Sequence, residues 1–279
     1  MNHSVARILC ITLCLGLFVL ASPPALAAPD VDTWEFWAED NPQSTQQVDH
    51  TPWQNFLDEY LVPQADGVNR VAYNRVDLGK GRKSLQTYLQ TLAEIDPRDL
   101  NRDEQFAYWV NLYNALTVEV VLSNPDKKSI RRMGKGLFSF GPWDDPVAAI
   151  AGEDVTLNDI EHRILRPIWQ DPRIHFVVNC ASIGCPNLQP QALRADNLET
   201  LLDAAQSEYI NHPRGVDKRT GSLILSSIFD WYQSDFASEP KGLLNYLAGV
   251  HKEPGLVLQA DPDRLEYNYD WTLNSLEPR

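Results

Sequence analysis

Six residues that take part in thiol or acid–base chemistry fall within 25 positions of one another: Glu161, His162, His175, Asn179, Cys180 and Cys185. A cysteine becomes a nucleophile when a base removes the thiol proton and a third group orients that base. An ordinary thiol is mostly protonated at pH 7, so a reactive thiol needs neighbours that lower its pKa. The candidate catalytic residues are therefore Cys180, His162, His175 and Glu161.

The two cysteines of this cluster also have a structural interpretation. Cys10 and Cys14 lie in the N-terminal segment, so Cys180 and Cys185 alone would remain after its removal. In an oxidising compartment, two cysteines with four residues between them are expected to form a disulfide that fixes a local loop. The disulfide is the interpretation we place first, and thiol catalysis remains the alternative.

The common motifs of nucleotide-binding proteins, serine hydrolases and metalloproteases are missing from the sequence. It contains no glycine-rich phosphate loop, no Gly-x-Ser-x-Gly and no His-Glu-x-x-His. The residues His162, His175, Cys180 and Cys185 are suitable zinc ligands, but their spacing matches no standard zinc arrangement. We therefore predict neither a metal nor a cofactor.

A run of apolar residues predicts a strand from Arg173 to Cys180, buried on both faces. Side chains alternate along a strand, so this one would point Cys180 away from His175. A base for Cys180 would then come from another segment, and His162 is the nearest in sequence, although a kink after Asn179 could still bring His175 into reach.

The helix that carries His162 begins at Thr156, where Thr156 and Asp159 form a start signal, and Pro167 is expected to close it. Glu161 falls inside the apolar stripe of this helix. A buried carboxylate is costly without a partner, so we predict a specific buried partner for Glu161.

The longest predicted helix, from Arg102 to Ser123, opens with Asn101 and Glu104, a variant of the capping box. It is apolar nearly all round, which indicates a buried helix. Asn111 and Asn114 share one of its faces, and buried amides need hydrogen-bond partners. They either clamp the backbone of a neighbouring loop or bind a ligand, and together with Asn179 they are the candidate binding residues.

The remaining elements are predicted from periodicity and turn signals. Further helices are expected at residues 52–62, 84–95, 196–211, 228–236 and 242–250, and short strands at 223–225 and 265–269. The sequence thus predicts an α+β fold, a single helix-rich domain around a small mixed or antiparallel sheet.

The N-terminus has the features of a cleavable secretory signal over residues 1–27. Arg7 precedes 14 uncharged residues, and Ala25-Leu26-Ala27 is a signal-peptidase site. We expect a polar leader at residues 28–51, a globular domain at 52–274, and a periplasmic or extracellular location. No later stretch is apolar enough to insert into a membrane, and 38 acidic against 24 basic residues disfavour nucleic acid as a partner.

Several stretches together resemble a bacterial family known as domain of unknown function 547. They are Tyr108 to Thr117, Leu157 to Arg166, Asp171 to Pro186, Trp231-Tyr232 with Asp235-Phe236, and Tyr269 to Asn274. The resemblance implies an often exported bacterial domain and brings no established activity.

Two functions are compatible with these observations. The first is a non-catalytic binding or assembly module of the cell envelope, with its loop stapled between Cys180 and Cys185. The alternative is a Cys-dependent hydrolase or acyl transferase that acts on peptide or cell-wall material. In either case the expected partner is a peptide, cell-wall or protein ligand of the envelope.

Overall fold

The computed structural model describes residues 31–78, 80–136, 140–219 and 222–277. The predicted signal at residues 1–27 lies outside these ranges. In chain order the α-helices are α1 Thr51–Tyr60, α2 Tyr73–Leu78, α3 Gly81–Ala93, α4 Arg102–Leu122, α5 Arg166–Trp169, α6 Leu198–Ile210, α7 Ile228–Trp231, α8 Gln233–Phe236, α9 Pro240–Val250 and α10 Pro254–Leu258. A π-helix, Asp159–Leu165, leads directly into α5.

The strands form three small sheets. They are β1 Leu61–Val62, β2 Arg70–Val71, β3 Ala148–Ile150, β4 Glu153–Val155, β5 Val216–Arg219, β6 Ser222–Ser226 and β7 Glu266–Asn268. The pairs β1–β2 and β3–β4 are antiparallel, whereas β6 pairs antiparallel with β5 and parallel with β7. This mixed sheet within a helix-rich chain confirms the predicted α+β class.

Helix α4 lies at the centre of the hydrophobic core, and 17 of its 21 residues are buried. Asn101 caps it by accepting a hydrogen bond from the Glu104 N–H at 3.1 Å. The Glu104 carboxylate instead accepts a bond from the Val48 N–H, which ties the leader to the helix. Trp37, which belongs to the leader, is completely buried, and its ring lies 5.1 Å from the ring of Trp109.

The predicted strand at residues 173–180 is wrong. Pro172–Phe176 forms a 3-10 helix, and the Asp171 side chain caps it by accepting a bond from the Arg173 N–H. The apolar residues that follow, Val177 and Val178, are buried in irregular backbone. A short run of apolar residues indicates that a segment is buried on all sides, but it does not distinguish a strand from other buried backbone.

The helix that starts at Thr156 has the predicted cap, because the Asp159 carboxylate accepts bonds from the Thr156 N–H and hydroxyl. Its predicted end at Pro167 is wrong. The Arg166 N–H bonds the Glu161 carbonyl five residues back, and Pro167 then fits into the first turn of α5. The chain leaves the helix at Gln170, whose φ is 51°.

The helix predicted at residues 228–236 is interrupted at Tyr232, where the backbone leaves helical geometry and separates α7 from α8. The predicted strand at 223–225 and the four other predicted helices are confirmed, with ends shifted by up to three residues. Within the described ranges, no helix combines the length and the apolar character that a membrane span requires.

Candidate functional site

A cavity of about 400 Å³ lies between the π-helix, the segment 175–186, α7 and the C-terminal residues. It contains all the candidate catalytic residues. The residues that line it include Tyr113, Glu161, His162, His175, Cys180, Cys185, Trp231, Tyr232, Tyr269 and Trp271. His175 and Cys180 line the same cavity, and the chain between them is a 3-10 helix and irregular backbone rather than the predicted strand.

Cys180 is partly exposed on the cavity wall, and three hydrogen-bonding groups surround its sulfur. The Cys185 thiol, the Ser182 hydroxyl and the Tyr269 hydroxyl each lie 3.1 Å from Sγ. The hydrogen bond with Cys185 is the main cause that lowers the pKa of Cys180. Burial opposes this shift, and the hydrogen bonds with Ser182 and Tyr269 add to it. These contacts therefore stabilise the thiolate, the reactive form of cysteine, relative to that of an ordinary cysteine.

Cys185 is buried beneath Cys180, and both are free thiols. Their sulfurs are 3.1 Å apart, longer than the roughly 2.05 Å of a disulfide bond. The predicted disulfide is thus absent from this structure. Burial, together with the neighbouring Cys180, raises the pKa of Cys185 well above its usual value.

The loop that holds the two sulfurs together is fixed by the C-terminal segment. Ala181 adopts a left-handed conformation with φ 59°, and its carbonyl accepts a bond from the Asn274 N–H. Gly184 packs so closely on Asp270 that a Cβ atom would come within 2.7 Å of the Asp270 nitrogen. A side chain at position 184 would therefore push the loop off the segment that supports it.

His175 forms a short hydrogen bond, 2.6 Å, between its Nε2 and the Asp235 carboxylate. Asp235 also pairs with Arg166 at 2.6 Å. Burial raises the pKa of Asp235, but the bonds from His175 and Arg166 outweigh burial and keep it far below its usual value. Because an ionised carboxylate only accepts, Nε2 of His175 carries a proton.

The Nδ1 atom of His175 is buried and has no hydrogen-bond partner among the described residues. Its nearest charge is the Glu161 carboxylate, at 3.8 Å. Glu161 in turn accepts a 3.0 Å bond from the Tyr113 hydroxyl. This is the buried partner that the apolar surroundings of Glu161 predicted.

His162 differs from His175 because its Nδ1 atom already has a hydrogen-bond partner. Its Nδ1 lies 3.2 Å from the Arg166 guanidinium, which can only donate, so this nitrogen is an acceptor. Burial is the main cause that lowers the pKa of His162 to about 4. The ring is therefore neutral at pH 7, with its proton on Nε2, and its basic nitrogen is already occupied.

The three candidate binding asparagines all bond to backbone groups. Asn111 bonds the N–H and carbonyl of Leu193. Asn114 bonds the Val177 carbonyl and the Asn179 N–H, and the Asn179 amide donates to the Pro186 carbonyl. These amides clamp the loops around the cavity, and none of the three lines it.

Aromatic rings form much of the remaining wall. Trp231 stacks on Trp271 with ring centres 5.5 Å apart, and Tyr269 packs against both. Tyr232 stacks on the His175 ring at 4.1 Å. Such walls bind flat apolar or sugar surfaces and keep water away from the polar groups. Among the described residues, no cluster of His, Cys, Asp or Glu has the arrangement of a metal site.

Sequence reasoning missed Asp235, Tyr113 and Tyr269 as members of the site. Asp235 and Tyr269 are 60 and 89 residues from their partners His175 and Cys180, so local spacing carries no signal for them. The signal that was available is their presence in the stretches that carry the family resemblance.

Residues 97–210 match the model of a family described as "Protein of unknown function, DUF547". The match supports the resemblance and covers α4, the π-helix and both cysteines, while Asp235 and Tyr269 lie beyond it. Comparisons with curated proteins and with solved structures find no match.

Proposed function

We propose that this protein is a Cys-dependent hydrolase or acyl transferase. The observation that carries the proposal is the arrangement of His175: Asp235 holds its Nε2–H, its Nδ1 has no hydrogen-bond partner among the described residues, and the residue lines the same cavity as Cys180. A nucleophile, a base and a group that orients the base are the elements of acyl transfer through a covalent intermediate.

The proposed reaction has two steps. First, Nδ1 of His175 takes the proton of the Cys180 thiol. The Cys180 thiolate then attacks the carbonyl carbon of an acyl donor, forms a thioester and expels the leaving group, which takes that proton from His175. Water or an acceptor amine or hydroxyl then gives a proton to Nδ1 of His175 and attacks the thioester. This second attack breaks the C–S bond and restores the thiolate.

Neighbouring residues support these steps by charge and position. Asp235 keeps the His175 ring in the tautomer that can accept a proton at Nδ1. Glu161, at 3.8 Å from Nδ1, stabilises the imidazolium that forms when the proton arrives. Because His162 is neutral and carries its proton on Nε2, we assign it as a donor to the substrate carbonyl oxygen.

The aromatic wall suits peptide or cell-wall material, whose sugar rings and side chains pack on tryptophan and tyrosine. The same wall favours a second candidate function, a binding or assembly module without catalysis. In that case Cys180 and Cys185 only fix the loop at the cavity, and no covalent intermediate forms.

The experiment that tests the catalytic proposal treats reduced protein with p-nitrophenyl acetate at pH 7, quenches with acid and measures intact mass. We expect one acetyl group, on Cys180, and release of p-nitrophenolate. His175→Ala should slow acetylation by roughly 100-fold or more, the range for loss of a general base. His251→Ala, which changes a histidine outside the cavity, is the control.

Two outcomes would leave the binding module as the better candidate. One is an acetylation rate that Cys180→Ala does not reduce. The other is equal rates for His175→Ala and His251→Ala, because Cys180 would then react without a base.

We also propose export with cleavage after Ala27, supported by Arg7, the uncharged run and Ala25-Leu26-Ala27. The mature protein would act in the periplasm or outside the cell. Intact-mass measurement of protein from the envelope fraction tests this, and a mass that includes Met1 to Ala27 would disprove it.

A further inference from the structure

Two features distinguish the paired thiols from ordinary buried cysteines. Their sulfurs are already in contact at 3.1 Å, and the Cys180 N–H donates a 3.0 Å bond to Cys185 Sγ. Access to them is unequal, because Cys180 is partly exposed in the cavity whereas Cys185 is only 5% exposed. An oxidant that enters the cavity therefore meets Cys180 first.

We propose that Cys180 and Cys185 are a reversible redox pair, in which Cys180 exchanges with the disulfide of a small thiol and Cys185 completes an internal disulfide. The bridge would also inactivate the enzyme, because Cys180 is the nucleophile in the proposed function; this part of the inference rests on that function. The bridge itself is independent of any acyl chemistry.

The exchange conserves atoms and electrons. The Cys180 thiolate attacks one sulfur of the small disulfide RSSR, forms a mixed disulfide and releases RS⁻. The Cys185 thiol loses its proton and attacks the Cys180 sulfur, forming the Cys180–Cys185 bond and releasing the second RS⁻. Two electrons pass from the protein to RSSR, and the products are the bridged protein and two RSH.

The surroundings favour the second attack. The neighbouring Cys180 is one cause of the raised pKa of Cys185, and a mixed disulfide at Cys180 removes that thiolate charge. Closing the bond requires the sulfurs to approach by only about 1 Å. The clamps on Ala181 and Gly184 keep them in contact, so little ordering of the loop is needed.

The test uses reduced full-length protein that carries Cys10→Ser and Cys14→Ser, so that Cys180 and Cys185 are its only thiols, and this parent is the wild type for the comparisons below. It is treated with oxidised glutathione at pH 7, quenched with N-ethylmaleimide and followed by intact mass. Wild type should progress to a species that carries neither glutathione nor maleimide, and dithiothreitol should restore two alkylatable thiols. Cys185→Ser should stop with one glutathione on Cys180. Cys180→Ser should react at least tenfold more slowly, because the remaining thiol is buried and has a raised pKa.

The proposal is overturned if wild type stops at the mixed disulfide or keeps two alkylatable thiols. Cys185→Ala serves as a second variant should Cys185→Ser not fold. The p-nitrophenyl acetate assay on the same reduced samples separates the two proposals. Acetylation without bridging refutes the redox pair alone, and bridging without acetylation refutes the hydrolase alone.

Discussion

The two histidines of the cavity differ in chemistry because their partners differ. His175 donates from Nε2 to a carboxylate and has no hydrogen-bond partner at Nδ1, whereas Nδ1 of His162 accepts from the Arg166 guanidinium. The residue types alone make both histidines possible bases. Their hydrogen bonds leave Nδ1 unpartnered in His175 and occupied in His162.

Glu161 provides a prediction at the scale of a single residue. Glu161→Ala should lower the free energy of unfolding by about 2–4 kcal/mol, because it removes the acceptor of the Tyr113 hydroxyl and leaves that hydroxyl buried. Urea unfolding followed by fluorescence measures the change. Glu253→Ala removes an exposed acid and should change stability by less than about 0.5 kcal/mol. Equal effects of the two substitutions would show that the carboxylate of Glu161 is solvated.

At the scale of elements, the sequence predicts regular helices well and the cavity loops poorly. Helix α4 is identified by its apolar periodicity and by Asn101, both of which are local signals. The segment from Arg173 to Cys180 is not identified correctly, because local 3-10 hydrogen bonds and a distant side chain, rather than a neighbouring strand, pair its backbone. Asn114 bonds the backbone at Val177 and Asn179, more than 60 residues away.

Asn114 therefore offers a test of how helix α4 positions the cysteine loop. Asn114→Ala leaves the Val177 carbonyl and the Asn179 N–H without their partner, which should cost about 2–4 kcal/mol of stability. It should also slow alkylation of Cys180 by iodoacetamide at pH 7. The matched control is Asn124→Ala, which removes an amide bond to Val120 just beyond the end of the same helix. An unchanged alkylation rate in folded Asn114→Ala would show that the loop holds its position without the clamp.

At the scale of the whole molecule, periodicity and turn signals predict an α+β fold, and the structure has this fold around a hydrophobic core. What composition does not predict is which polar groups enter that core. His50 and His162 lie far apart in the chain, yet both are almost fully buried. Burial is the main cause that lowers the pKa of each to about 4.

These two histidines predict how the stability of the protein depends on pH. Both are neutral when folded, and in the unfolded chain they have the ordinary pKa of about 6.5. Between pH 6.5 and 4 the unfolded chain binds more protons, so stability is fully present above this window and is lost as pH falls through it. The expected loss between pH 7 and 5 is about 2 kcal/mol for each histidine.

Urea unfolding at pH 7 and pH 5 measures this loss, and His50→Leu isolates one contribution at a position outside the cavity. The variant loses the 2.7 Å bond between His50 Nδ1 and the Tyr88 hydroxyl, so its stability at pH 7 falls. The informative quantity is therefore the difference between the two pH values, which should shrink by about 2 kcal/mol relative to wild type. Tyr88→Phe removes the same hydrogen bond but keeps the His50 ring buried, so it is the matched control and should leave that difference unchanged. If His50→Leu also leaves it unchanged, the His50 ring is protonated in the folded protein, and its burial is compensated by a charge that the described contacts do not include.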